Sequence, residues 1–242
     1  MSKGVISAVY SAKGGVGKTT FTLNLAGTLC NNKKKVLIVD LDLYSGAIAI
    51  SLNKIPIKTI YHFHNDLNKK NDIDIFNYIT KYNNYIDFIS CPKDIKEVKS
   101  IDYNTIEKLV FKASLLYDVI LFDLSHIYSE INCNILNMAT NILYLFTNDP
   151  ADLKNTANVL NILKQNNNNL NVILNYSINP ERNYYVLYDI KHIINNNIDY
   201  IISNRFYNPQ IDNITIRGEI FTINNQKHQD YKILNLIAKS IL

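Results

Sequence analysis

Cysteine, tryptophan, glycine and long apolar runs are all scarce in this chain, and each shortage excludes something. Three cysteines (Cys30, Cys91, Cys133) are an odd number with no C-x-x-C pair, which excludes a fully paired disulfide framework and gives no zinc or thiol-redox motif. A reducing cytoplasm is therefore the expected compartment. Lysines and asparagines interrupt every apolar run before it reaches membrane-spanning length, and the N-terminal MSKGVISAVYSAKGG lacks the apolar core of a signal peptide. The expectation is a cytoplasmic protein with no transmembrane segment, which reaches the inner membrane face or a cell pole only through a peripheral or recruited contact. Charge of one sign is also short: 25 basic against 21 acidic residues leave +4, well below the dense basic stripe of a dedicated nucleic-acid binder. The 242 residues suit one α/β domain spanning 1–242 and can bury a proper core.

Glycine is the most telling shortage. Of seven in the whole chain, Gly14, Gly15 and Gly17 fall within four consecutive positions. They follow the β-branched apolar run Val5–Tyr10 and precede a segment with Phe21, Leu25 and Leu29 at helical spacing. A glycine-rich strand-to-helix turn ending in Gly17-Lys18-Thr19-Thr20 is the context a phosphate-binding loop requires. There the backbone N–H groups of Gly14, Gly15, Val16 and Gly17 converge on phosphate oxygens, because glycine removes the Cβ atoms that would block them. The helix N-terminus adds partial positive charge, Lys18 neutralises the outer phosphates, and the Thr19 hydroxyl is placed to ligate Mg²⁺. A tight turn without a ligand is the alternative, and the full context disfavours it.

Two apolar runs end in carboxylates. Val36–Val39 leads to Asp40-Leu41-Asp42, and Val119–Phe122 leads to Asp123, followed by Leu124-Ser125-His126. In an open parallel sheet, ligands sit beyond the carboxyl ends of strands. A D-x-D after a strand is also explained by a turn cap or a solvated strand end. The remaining pattern gives strands at 4–10, 35–40, 86–90, 118–123, 141–147, 170–175 and 198–203. Helices are expected near 18–31, 104–116, 150–166, 183–195 and 228–241, with Pro150 at a helix start. An asparagine run at 166–169 reads as a loop, and 56–85 carries no pattern that assigns elements. The fold class is α/β, a doubly wound, mainly parallel sheet with helices on both faces.

Residues 13–20, KGGVGKTT, resemble the deviant Walker A motif of the ParA/MinD family of P-loop ATPases (SIMIBI class). That resemblance implies ATP and Mg²⁺ as cofactors and a nucleotide-dependent homodimer. It implies that Lys13 reaches the partner subunit's nucleotide as a cation supplied in trans. It further implies that Asp40 and Asp123 hold the magnesium hydration shell, that Asp42 positions the attacking water, and that Asn175 contacts adenine. Lys13, Lys18 and Asp42 are the implied catalytic set. Hydrolysis would then be slow and switch-like.

The stretch VDLDLYSGAIAISL at 39–52 and the segment YDVILFDLSH at 117–126 look like the CpaE/TadZ pilus-assembly branch. Departures are Ala47 where an acidic residue is frequent, Ser125 in place of proline, and Tyr176 where an arginine follows the adenine-contacting asparagine. The implied task is organising a pilus or secretion machine at the envelope. The alternatives are DNA partition, which the thin positive charge does not favour, and MinD-like placement of a division or flagellar site through membrane contact. Weaker features read as scaffold: His62 and His64 as a polar loop rather than a metal pair, Lys33-Lys34-Lys35 as a solvated turn, and 231–242 as a terminal helix packed on the sheet. His126 is assigned to a switch or interface rather than to base catalysis.

Overall fold

The computed structural model describes residues 3–69, 73–166, 169–176, 184–206 and 209–242. Of the asparagine run, positions 167 and 168 lie outside the described residues, as does the expected helix start at 183. Among the described residues eight strands form one sheet: β1 (Val5–Tyr10), β2 (Val36–Leu41), β3 (Thr80–Lys81), β4 (Ile86–Ile89), β5 (Val119–Leu124), β6 (Asn141–Phe146), β7 (Leu170–Asn175) and β8 (Tyr200–Ile202). Their order is β3-β4-β2-β5-β1-β6-β7-β8, and every pairing is parallel except β3 with β4. All seven strands expected from the sequence are present within two residues of their limits. The eighth, β3, is a two-residue edge piece too short to leave a periodic signal.

The chain leaves β1 toward β2 on one side and later passes to β6 on the other. The carboxyl end of β1 is therefore beside a topological switch point, where open α/β sheets bind ligands. Successive strand residues alternate between two buried layers, as period two demands. Val36, Ile38, Val119, Leu121, Leu143 and Leu145 face one layer, while Leu37, Val39, Ile120, Phe122, Ile142 and Tyr144 face the other.

The helices are α1 (Lys18–Asn31), α2 (Ile48–Ser51), α3 (Ile60–Leu67), α4 (Ile95–Val98), α5 (Tyr103–Ala113), α6 (Glu130–Met138), α7 (Pro150–Asn166), α8 (Leu187–Ile194), α9 (Pro209–Ile216), α10 (Phe221–Asn224) and α11 (Gln229–Ser240). Phe21, Leu25 and Leu29 of α1 are buried with Leu234, Ile237 and Ala238 of α11 in the first layer. The terminal helix is a core element, so its apolar face is already used. Even the polar side of α1 is closed off: Asn24 Oδ1 accepts from Thr222 N at 3.2 Å, and Thr222 Oγ1 donates to Asn24 O at 2.7 Å.

Six helices, α2, α3, α4, α6, α9 and α10, lie outside the sequence expectation, and two of them show why. Helix α6 starts where the Ser129 hydroxyl accepts from Asn132 N, a cap that satisfies a first-turn donor of this nine-residue helix. Helix α3 occupies the unassigned 56–85 segment, so the polar-loop reading of His62 and His64 is corrected. His62 completes a capping box with Thr59, and buried His64 lies 2.7 Å from Thr105 Oγ1.

Candidate functional site

Residues 11–17 bridge β1 and α1 in a turn that needs positive φ at Gly15 (75°) and Gly17 (91°), the region that excludes most side chains. Gly17 is the N-cap of α1. With no side-chain cap there, the first-turn N–H groups of the helix have no side-chain acceptor from that position. Behind the loop, Lys18 is 7% exposed, and its Nζ donates to Ser11 Oγ at 3.0 Å. Burial pulls its ammonium below the usual lysine range, while Asp123, Asp42 and Asp152 act in the opposite direction. An ammonium held in this way gains from any anion placed in the loop.

Thr19, the next residue, donates its hydroxyl to Asp123 Oδ2 at 2.6 Å. Asp40 and Asp123 are direct neighbours in the β2–β5 register, and both are buried. Burial, reinforced by the Asp123 charge, pushes Asp40 well above the usual carboxylate range. Burial also raises Asp123, to about 6, against the hydrogen bond from Thr19 and the charge of Lys18. One Asp40 oxygen accepts from Ile48 N at 3.1 Å, and Oδ1 is buried with no hydrogen-bond partner among the described residues.

An oxygen-only set of Thr19, Asp40 and Asp123 matches what Mg²⁺ prefers, and a divalent charge would offset the repulsion of two adjacent carboxylates. No cluster of three His, Cys, Asp or Glu occurs among the described residues. Gly46 also belongs to this corner: a Cβ there would lie within 2.7 Å of both Asp40 oxygens and would overlap Cys91 Sγ. The Cys91 thiol is pushed up to about 12 by burial and by Asp40 and Asp42, so it stays protonated beside the carboxylate.

The pair of carboxylates carries a pH dependence. Because Asp123 rises from 3.8 to about 6 on folding, the native chain binds more protons than the unfolded chain between those values. Stability from this group is present at low pH and is lost as pH climbs through about 6. In chelator, the melting temperature of the wild type should fall from pH 5 to pH 7.5 more steeply than that of Asp123→Asn. Millimolar Mg²⁺ should restore more stability at pH 7.5 than at pH 5, read by differential scanning calorimetry.

Asp42 is partly exposed at the mouth of the same corner, and its charge acts on Lys18, Asp40 and Asp123. On the other side of the loop, Lys13 Nζ pairs with Asp149 Oδ1 at 3.0 Å, and that bond holds the Asp149 carboxyl below its ordinary range. Asp149 Oδ1 also accepts from Ala151 N and Asp152 N at 3.1 Å, which makes it the cap of α7 with Pro150 next. His126 lies against the loop, its Nδ1 3.5 Å from where a Cβ on Gly14 would be.

A cavity opens between the loop and the ends of β6 and β7, walled by Val16, Thr147, Asn148, Asn175, Tyr176 and Tyr184. Asn175 Nδ2 donates to Val16 O at 2.9 Å, which ties β7 to the glycine loop. Asn148 Nδ2 donates to Tyr185 O at 2.9 Å, while its Oδ1 is buried with no partner among the described residues.

The structure thus gathers Lys13 through Thr20, Asp40, Asp42, Asp123 and Asn175 at one end of the sheet. Sequence reasoning missed Ser11, Asn148, Asp149 and Cys91. The available signal was positional, since Thr147–Asp149 and Cys91 follow strands whose neighbours carry the chosen residues.

Comparisons with known proteins agree with this geometry. The AAA_31 family model, described as an AAA domain, matches residues 4–176. A 37-residue stretch is 51% identical to an uncharacterized protein of Pseudomonas putida, covering 15% of this chain and only 14% of that protein's length. The structure of a ParA family ATPase from Chlorobium tepidum superposes with a TM-score of 0.84 at 19% identity, over 99% of each chain. The septum site-determining protein MinD from Pyrococcus horikoshii, complexed with Mg-ADP, gives 0.79 at 19% identity, over 98% of this chain and 95% of that one. At such identities the likeness establishes the fold, that of a P-loop NTPase.

Proposed function

Because this chain belongs to the AAA_31 family of AAA domains, we propose that residues 1–242 act as one magnesium-dependent ATPase unit of the ParA/MinD type. Two copies close over two nucleotides, and hydrolysis releases them. The observation that carries this reading is the convergence of Lys18, Thr19, Asp40 and Asp123 around a loop whose glycines adopt positive φ.

In this reading the N–H groups of residues 14–19 and the Lys18 ammonium bind the phosphates, and Asn175 and Asn148 border the base. The cation, when bound, supplies charge that offsets the build-up on the transferring phosphoryl group. Thr19, Asp40 and Asp123 would hold it directly or through its water. Asp42, partly exposed and beyond the strand end, orients the attacking water and takes no part in binding. Lys13 supplies positive charge across the dimer face. The nucleotide then times assembly, and slow turnover suits that task.

The task we favour is localising or assembling a pilus-secretion machine, supported by VDLDLYSGAIAISL at 39–52. A second reading is MinD-like site placement, supported by the likeness to a septum site-determining protein. Neighbouring genes for a secretion ATPase and a prepilin would support the first. ATP-dependent retention on DNA that weakens steeply with salt would instead indicate partition.

For the chemistry, Asp42→Ala should keep Mg-ATP affinity within a few-fold and lower single-turnover hydrolysis about 100-fold, the usual weight of a group that positions a proton acceptor or water. The dimer should accumulate in size-exclusion chromatography with ATP. Unchanged turnover would remove Asp42 from that role.

A further inference from the structure

The opposite pole of the sheet, where the strands begin, carries a second concave site. Five backbone hydrogen bonds weave the segments before β1, β2, β4 and β5 together there: Val36 N to Tyr85 O, Asp118 N and Val119 N to Lys35 O, Val5 N to Asp118 O, and Gly4 N to Ser114 O. The Asp118 carboxylate accepts from Lys35 N at 2.7 Å. On this firm base a pocket is lined by Lys35, Phe76, Lys81, Asp87, Leu116 and Tyr117.

Apolar side chains stand exposed on and beside it: Phe76 at 53%, Phe111 at 64%, Leu115 at 60% and Leu116 at 38%. Lysines stand exposed at the same strand ends, Lys3, Lys33, Lys35 and Lys81. The nearby carboxylates are already engaged, since Asp118 is bonded to the backbone and Asp87 Oδ2 accepts from the Tyr117 hydroxyl at 2.7 Å. The second Asp87 oxygen is buried and makes no hydrogen bond among the described residues.

We propose that this pole docks an acidic amphipathic segment of a partner protein, its apolar side chains entering between Phe76 and Leu116 and its carboxylates meeting Lys35 and Lys81. Two features choose that occupant. Exposed aromatic and aliphatic side chains set in a concave surface are what anchor residues of a bound segment fill. The cationic surround complements acidic groups and would repel a basic segment. The site is remote from the nucleotide end and does not rest on the ATPase reading.

The test uses the full chain and defined probes: a fluorescent 18-residue Glu/Leu amphipathic peptide, its Lys/Leu counterpart, phosphatidylglycerol vesicles and a 30-base-pair DNA duplex. The acidic peptide should bind in fluorescence anisotropy, and the basic one at least tenfold more weakly. Lys35→Glu with Lys81→Glu should weaken the acidic peptide at least tenfold, as should Leu116→Ser, with circular dichroism and the melting temperature held. Backbone NMR shifts should map to 76, 81, 85 and 116. Equal binding of both peptides, no loss in the variants, or binding of vesicles or DNA in place of the acidic peptide would each overturn the proposal.

Discussion

Lys18→Ala is expected to remove nucleotide binding, with Mg-ATP affinity falling about 1,000-fold in isothermal titration, equivalent to ~4 kcal/mol. The expected loss is large because the lysine is not a surface cation. It is 7% exposed and donates to Ser11 Oγ, and its charge stands against Asp42 and Asp123. Its deletion leaves those carboxylates facing a polyphosphate with no local cation of the chain between them. Charge-assisted hydrogen bonds in low-dielectric surroundings exceed neutral ones about twofold, and an uncompensated buried charge adds to the loss. The apo fold should survive, because the Ser11 hydroxyl still donates to Lys13 O at 2.7 Å. A melting temperature close to wild type without ligand, and no rise with Mg-ATP, is the signature. Binding within threefold of wild type would remove the phosphate site from this loop.

How much of this was legible beforehand depends on whether a residue's partner is local. The glycine loop stood out because its need for positive φ is a local backbone property, written into Gly15 and Gly17 themselves. The strands were legible because a buried parallel strand is an unbroken apolar run, and Val119–Leu124 is wholly buried. Asp40 and Asp123 were found as strand ends, but their adjacency came from strand order, which no single segment states. Helices α3 and α6 were missed although both are amphipathic, because each is short, eight and nine residues, and its start is set by capping, at Thr59 with His62 and at Ser129. The contacts of Gly46 with Asp40 and Cys91 join three chain segments, and nothing in any one of them announces the meeting. Asp149 is the clearest case of a hidden partner. Locally it reads as a helix cap before Pro150, which it is, and its pairing with Lys13 spans most of the domain.

That pairing shapes what Lys13→Ala should do. In the single chain the Lys13 ammonium is bonded to Asp149 at 3.0 Å, whereas the Lys18 ammonium is bonded to Ser11. Deleting the Lys13 side chain should therefore leave Mg-ATP affinity of the monomer within about threefold, since phosphate contacts in cis come from the backbone and Lys18. Turnover should nevertheless fall about 1,000-fold, the weight of a cation supplied across an interface to a transferring phosphoryl group. Analytical ultracentrifugation with saturating Mg-ATP should show monomer where the wild type shows dimer.

Asp149→Asn separates this from simple damage to the loop. Asparagine retains an oxygen to cap α7 but releases the lysine, so dimerisation should begin at lower protein concentration. The shift should be small, about two- to fivefold, because a half-exposed ion pair contributes no more than ~1 kcal/mol. Opposite signs for the two variants would locate Lys13 in two competing partnerships, one within the chain and one across the dimer. If Lys13→Ala dimerises and turns over like wild type, Lys13 has only the Asp149 partnership, and charge supplied in trans has no source in this loop.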